Sequence, residues 1–194
     1  MADDNVLGSR QRGLEEEYFR KKEQELIEKL RRRGEEETQR RRLAERAGVA
    51  DEEVLKDLQA LGYTPETVML LHLVPLVQMA WAEGGVSDSE RKLIMDAVRS
   101  RGIEETSAAG RQLTAWLTSR PSDAFFETTL RVIGAILQVR PADERATSQR
   151  DLVAYCTAIA SASGGILGFG KVSDEERQLL ARISHELTSR SHGS

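Results

Sequence analysis

Hydrophobic positions along this chain follow two different patterns. Up to about Ala47, Glu, Lys and Arg dominate, and the sparse apolar residues Leu14, Tyr18, Leu26 and Leu30 are spaced in steps of four, with Phe19 and Ile27 beside them. That spacing predicts a helix with one narrow apolar stripe. The stripe fades after Leu30, where Glu36 with Arg40 and Glu37 with Arg41 form i,i+4 pairs, as Glu16 with Arg20 and Glu17 with Lys21 do earlier. Each such pair supplies about 0.2–0.5 kcal/mol. A long solvated helix over 14–47 follows, with Gly34 as its weak point.

From Asp51 onward the apolar period becomes regular and helix punctuation frequent. Asp51 is placed to cap a short helix carrying Val54, Leu55, Leu58 and Leu61, ended by Gly62; Thr64 caps a second with Pro65 at its first position. The apolar run from Val68 to Ala82 reads as one buried core helix kinked by Pro75. Further helices are expected over Asp88 to Arg101, Thr106 to Ser119, Asp123 to Val139, Ala142 to Ser163 and Asp174 to Ser189, separated by glycines and prolines. No strand-like alternation bounded by turns is found, so the expected class is all-α.

One phrase is written twice. Val86-Ser87-Asp88-Ser89-Glu90-Arg91 and Val172-Ser173-Asp174-Glu175-Glu176-Arg177 each follow paired glycines, Gly84-Gly85 and Gly164-Gly165. Ser87 with Glu90, and Ser173 with Glu176, have the spacing of a capping box. The alternative is chemical: Glu83, Asp88 and Glu90 could supply hard oxygen ligands to a divalent cation at a helix-loop-helix corner. Any such site should be biased to the first copy, because Ser163 stands where the first copy has Glu83.

Composition narrows the function classes. The chain has 194 residues, 31% of them charged, and a formal net charge of -4, so no global field recruits nucleic acid or an anionic membrane. The arginine triplets Arg31-Arg32-Arg33 and Arg40-Arg41-Arg42 are separated by Glu35, Glu36 and Glu37, which favours a salt-bridged helix over a phosphate grip. A single cysteine, Cys156, excludes an internal disulfide, and the acidic N-terminus lacks a secretory pattern. A cytoplasmic setting without membrane insertion is the expectation. Gly165 to Lys171 has the glycine spacing of a phosphate-binding loop, but Val172 replaces the Ser or Thr that would reach magnesium, and helix instead of strand precedes it. His72, His185 and His192 are scattered and form no ligand set, and the serines around Cys156 to Ser163 lack a neighbouring histidine in sequence, so the chain is not expected to be an enzyme.

The residues from Ala80 to Glu90, with their echo between Ala160 and Glu176, resemble the signature of the TerB-like (tellurite-resistance protein B) family. The resemblance spans about Thr64 to Arg190. It implies a compact helical fold of two related halves, generally bacterial, cytoplasmic and non-enzymatic, associated with stress responses and bearing an acidic surface for metal. By position Glu83 and Glu90 match best and Asp174 and Glu176 less well, with glutamate at 83 in place of the more usual aspartate.

Separately, Glu15-Glu16-Glu17-Tyr18-Phe19-Arg20-Lys21-Lys22-Glu23 resembles the inhibitory segment of the natural inhibitor protein of F-type ATP synthases, without its histidine-rich switch or sustained heptads. It implies a helix that inserts between catalytic subunits and blocks hydrolytic rotation.

The combined expectation is a disordered tail over 1–13, a charged partner-docking helix over 14–47, a TerB-like helical domain over 48–190 and a short tail over 191–194. Leu14, Glu17, Tyr18, Phe19, Arg20, Leu26, Ile27 and Leu30 are the candidate partner-binding residues, with F-type ATP synthase as one candidate partner. The alternative for Tyr18 and Phe19 is that they pack back on the helical domain. No cofactor is expected beyond the candidate cation at Glu83, Asp88 and Glu90.

Overall fold

The computed structural model describes the backbone of residues 3–163 and 172–189, and side chains over 17–162 and 172–187. Among the described residues there are eight α-helices, one 3-10 helix and no strand, as the all-α reading requires. The Gly165 to Lys171 loop, both chain ends, His192 and the Leu14 side chain lie outside them. Two compact units divide at Arg42: Met1–Arg42 and Leu43–Ser194.

The first unit is helical from Asp3 onward, within α1 (Asp3–Ala47), whose last residues belong to the second unit. Helix covers most of 1–13, where a disordered tail was the expectation, while the tail expected over 191–194 lies outside the described residues. Strong helix formers and local ion pairs, Lys22 to Glu25 at 3.2 Å and Arg32 to Glu28 at 2.5 Å, account for its length. Gly34 does not interrupt it, and Thr38 donates its hydroxyl to the Gly34 carbonyl at 2.8 Å.

In the second unit α1 ends as its sequence predicts. Gly48 adopts φ +66°, open to glycine at little cost, and Val49 N–H donates to the Ala44 carbonyl at 3.0 Å while Leu43 and Val49 are buried. The following helices are α2 (Glu52–Ala60), α3 (Val74–Ala80), α4 (Asp88–Arg99), α5 (Ala108–Thr118), α6 (Asp123–Gln138), α7 (Ala142–Ser163) and α8 (Asp174–Ser189). Asp51 caps α2 through the amides of Glu53 and Val54. Ser107, one residue past the expected Thr106, caps α5, and Ser122 caps α6.

The expected kinked helix through Pro75 is corrected. Val68–Leu73 is a 3-10 helix, and α3 starts afresh with Pro75 in its first turn. The reason is steric: proline lacks an N–H and its ring crowds the carbonyl four residues back, so an α-helix cannot run through it undisturbed but can begin at it.

Every residue of α3 is buried, the mark of a helix surrounded on all sides. It packs against α4, α6, α7 and α8, while α6 also packs on α8 and α2. Phe126, Leu130, Ile133 and Leu137 form the buried face of α6. At one end Tyr63, Trp116, Phe125 and Phe126 form an aromatic cluster, with Trp116 and Phe125 centroids 5.2 Å apart. Cross-links between elements complete it: Trp81 Nε1 donates to the Trp116 carbonyl and Arg91 to the Leu117 carbonyl, both at 2.8 Å, and Arg131 pairs with Asp57 at 2.9 Å. The doubled phrase opens α4 and α8, each preceded by a helix, α3 and α7, that packs on the other.

Candidate functional site

On α1, Phe19, Leu26 and Leu30 are seven and four residues apart and so share one side of the helix, with Tyr18 and Ile27 at its margins. All five are more than half exposed: Tyr18 58%, Phe19 69%, Leu26 57%, Ile27 54% and Leu30 58%. They are five of the nine exposed large hydrophobics among the described residues; the others, Met69, Leu93, Val139 and Tyr155, are dispersed in sequence. Tyr18 and Phe19 meet edge to face at 6.0 Å, and the Lys22 ammonium lies 5.8 Å from the Tyr18 ring centre. Glu17 and Arg20 are exposed beside them. An apolar strip flanked by both signs of charge suits a groove with an apolar floor and a polar rim.

The acidic corner is built differently. Ser87 Oγ accepts from the Glu90 amide at 3.3 Å, and Glu90 Oε2 accepts from Ser87 N–H at 2.8 Å and from Ser87 Oγ–H at 2.7 Å. The second copy repeats this: Ser173 N–H donates to Glu176 Oε2 at 2.7 Å and Glu176 N–H to Ser173 Oγ at 3.2 Å. Both glutamates are buried, at 3% and 1% exposure, whereas Glu83 and Asp88 are exposed. Burial raises the Glu90 carboxyl above its ordinary value, the Ser87 bonds oppose this, and the charges of Glu176 and Glu83 add to the rise.

Glu83, Asp88 and Glu90 therefore do not converge as ligands: Glu90 turns inward onto Ser87 while the other two face solvent. Among the described residues no group of three or more His, Cys, Asp or Glu side chains is arranged to hold a metal ion. As placed, this donor set does not fit a divalent cation.

Glu176, the weaker match by position, is buried as deeply as Glu90 and its charge acts on Glu90; the duplication is the signal in the sequence that points to it. Gly110, in the first turn of α5, carries no signal in its spacing, yet a Cβ there would collide with the Glu104 and Glu105 carbonyls. Cys156 is fully buried on α7 and its thiol is pushed up to about 12 by burial, so it is chemically quiet.

No family model, no curated protein and no solved structure matches this chain. No described helix is long and apolar enough to cross a membrane.

Proposed function

We propose that the protein is a TerB-like, stress-associated interaction protein that acts by binding, its α1 face docking into an apolar groove of a protein partner. The observation that carries this reading is the exposure of Tyr18, Phe19, Leu26, Ile27 and Leu30 on one helix. An isolated helix gains little from its own backbone in water, and covering five such side chains at about 25 cal/mol per Å² would stabilise a complex by several kcal/mol before ordering costs. The test is capture from host lysate with the full chain and with Phe19→Asp, Leu26→Asp and Val139→Asp. A partner retained by the native chain and Val139→Asp but lost with both α1 variants supports the proposal. A partner set identical for all four chains refutes it.

A second reading is favoured by one feature, the exposed Tyr18–Phe19 pair lying between Glu17 and Arg20. It makes the α1 face an inhibitor of the F-type ATP synthase. ATP hydrolysis by the host enzyme should then fall on adding the full chain and recover with Phe19→Asp. Unchanged hydrolysis at high micromolar protein rules it out.

A further inference from the structure

On the helical unit, away from the doubled phrase in sequence, a cleft of about 400 Å³ opens between the 3-10 helix and α3 on one side and the end of α6 and the first half of α7 on the other. Its size is that of a small-molecule site. Leu73, Leu76, Ile133, Leu137 and Leu152, all buried, floor it. Two guanidinium groups stand over this floor: Arg101, from the turn after α4, and Arg140, from the turn after α6.

Neither arginine has a carboxylate within ion-pair distance among the described residues. Arg101 donates only to the Ala97 carbonyl at 2.9 Å and lies 5.3 Å from the centre of the Tyr155 ring, which stiffens it as a wall of the cleft. The remaining polar lining is His72, Ser148 and Asp151.

We infer that this cleft binds a small organic anion, its carboxylate or phosphate held by Arg101 and Arg140 and its apolar body lying on the leucine and isoleucine floor. A planar guanidinium matches either oxyanion with paired N–H donors, and the floor adds an attraction that a bare inorganic ion cannot use. This inference is independent of the α1 proposal.

His72 offers a built-in reporter. His72 is exposed to solvent on one side, but the protein packed around its imidazole partly desolvates it and holds it below the ordinary value of 6.5, and the charges of Arg140 and Arg101 push it down further. The groups facing it across the cleft are Arg101, Arg140, Asp151 and Tyr155. An anion seated between the arginines offsets their field, so His72 must become easier to protonate on binding.

The experiment is NMR titration of the full chain, following the His72 ring signals, assigned with His72→Gln, against octanoate, octanol and inorganic phosphate. Octanoate is expected to shift these signals saturably and raise the His72 pKa. Octanol and inorganic phosphate should each bind at least about tenfold more weakly, since each lacks one of the two attractions. Arg140→Met and Arg101→Met, at exposed positions that leave the floor intact, should each weaken octanoate about tenfold. No His72 response to octanoate overturns the inference. So do octanol binding as tight as octanoate, inorganic phosphate binding as tight as octanoate, or undiminished octanoate affinity in both arginine variants.

Discussion

Replacing Glu90 by Gln should stabilise the protein at neutral pH, whereas replacing it by Ala should destabilise it. Gln keeps the side-chain oxygen that accepts from Ser87 N–H and Oγ–H, at 2.8 and 2.7 Å, and still satisfies the capping box. It lacks the charge that burial and the neighbouring Glu176 and Glu83 oppose. The sign follows from proton linkage. A carboxyl whose folded pKa is raised binds its proton more tightly in the folded state, so its contribution is fully present below the ordinary 4.5 and is lost as pH rises through the folded value. Native and Glu90→Gln proteins should therefore be equally stable near pH 4 and diverge above it, with the variant the more stable at pH 7 to 8.

Ala removes both acceptor bonds. Losing them costs about 1–2 kcal/mol, at the lower end because Ser87 is exposed and water can reach its amide. For a domain of this size that is a fall of about 2–8 °C in Tm. The assay is thermal unfolding by circular dichroism from pH 4 to 8 in EDTA. Parallel curves for native and Gln proteins, or a Gln variant as unstable as the Ala variant, would refute the reasoning. Because Glu176 contributes to the same repulsion, Glu90→Gln and Glu176→Gln should be non-additive: the first removes most of it and leaves less for the second.

Cutting the chain at Gly48 should destabilise the helical unit by about 2–5 kcal/mol relative to cutting after Arg42, because only the longer product keeps the buried Leu43; chemical denaturation of the two products decides. Gly110→Ala should be among the most damaging single-atom-scale changes, since the new Cβ meets backbone carbonyls that cannot move as a side-chain tip would; a loss under about 1 kcal/mol in urea unfolding would contradict this. Cys156 should resist iodoacetamide at pH 8 in the native state and react in step with unfolding; stoichiometric labelling within minutes without denaturant would show the thiol to be accessible.

The helices were legible because their ends are written in residues with local mechanisms. Asp51, Ser87, Ser122 and Ser173 cap through their own side chains, and Gly48, Gly62 and Gly102 adopt the positive φ that few other residues tolerate. Legibility failed where tertiary contact decides. The apolar run around Pro75 has no periodic polar face to mark where α geometry begins, since every residue of α3 is covered. Gly110 is required by the Glu104 and Glu105 carbonyls, a close approach of the preceding turn that spacing does not reveal. The exposed stripe on α1 could be read directly, because an apolar period within a run of charge is visible without knowing what lies beside it.

The doubled acidic phrase illustrates why residue type and residue role separate. Serine and glutamate three apart suit both a helix cap and a cation corner, and sequence alone leaves the two in competition. In the fold the cap engages the carboxylate: Glu90 Oε2 accepts two bonds from Ser87, and the residue is buried. To share a cation with the exposed Glu83 and Asp88, that buried carboxylate would have to turn outward, against the hold of Ser87 on Oε2 at the start of α4. Arg140 faces no such conflict, and Arg101, which gives one N–H to the Ala97 carbonyl at the end of α4, keeps its other donors; among the described residues neither pairs with a carboxylate. On this physical ground, groups that keep donors to spare after the helix ends are satisfied are the better place to look for what the helical unit binds.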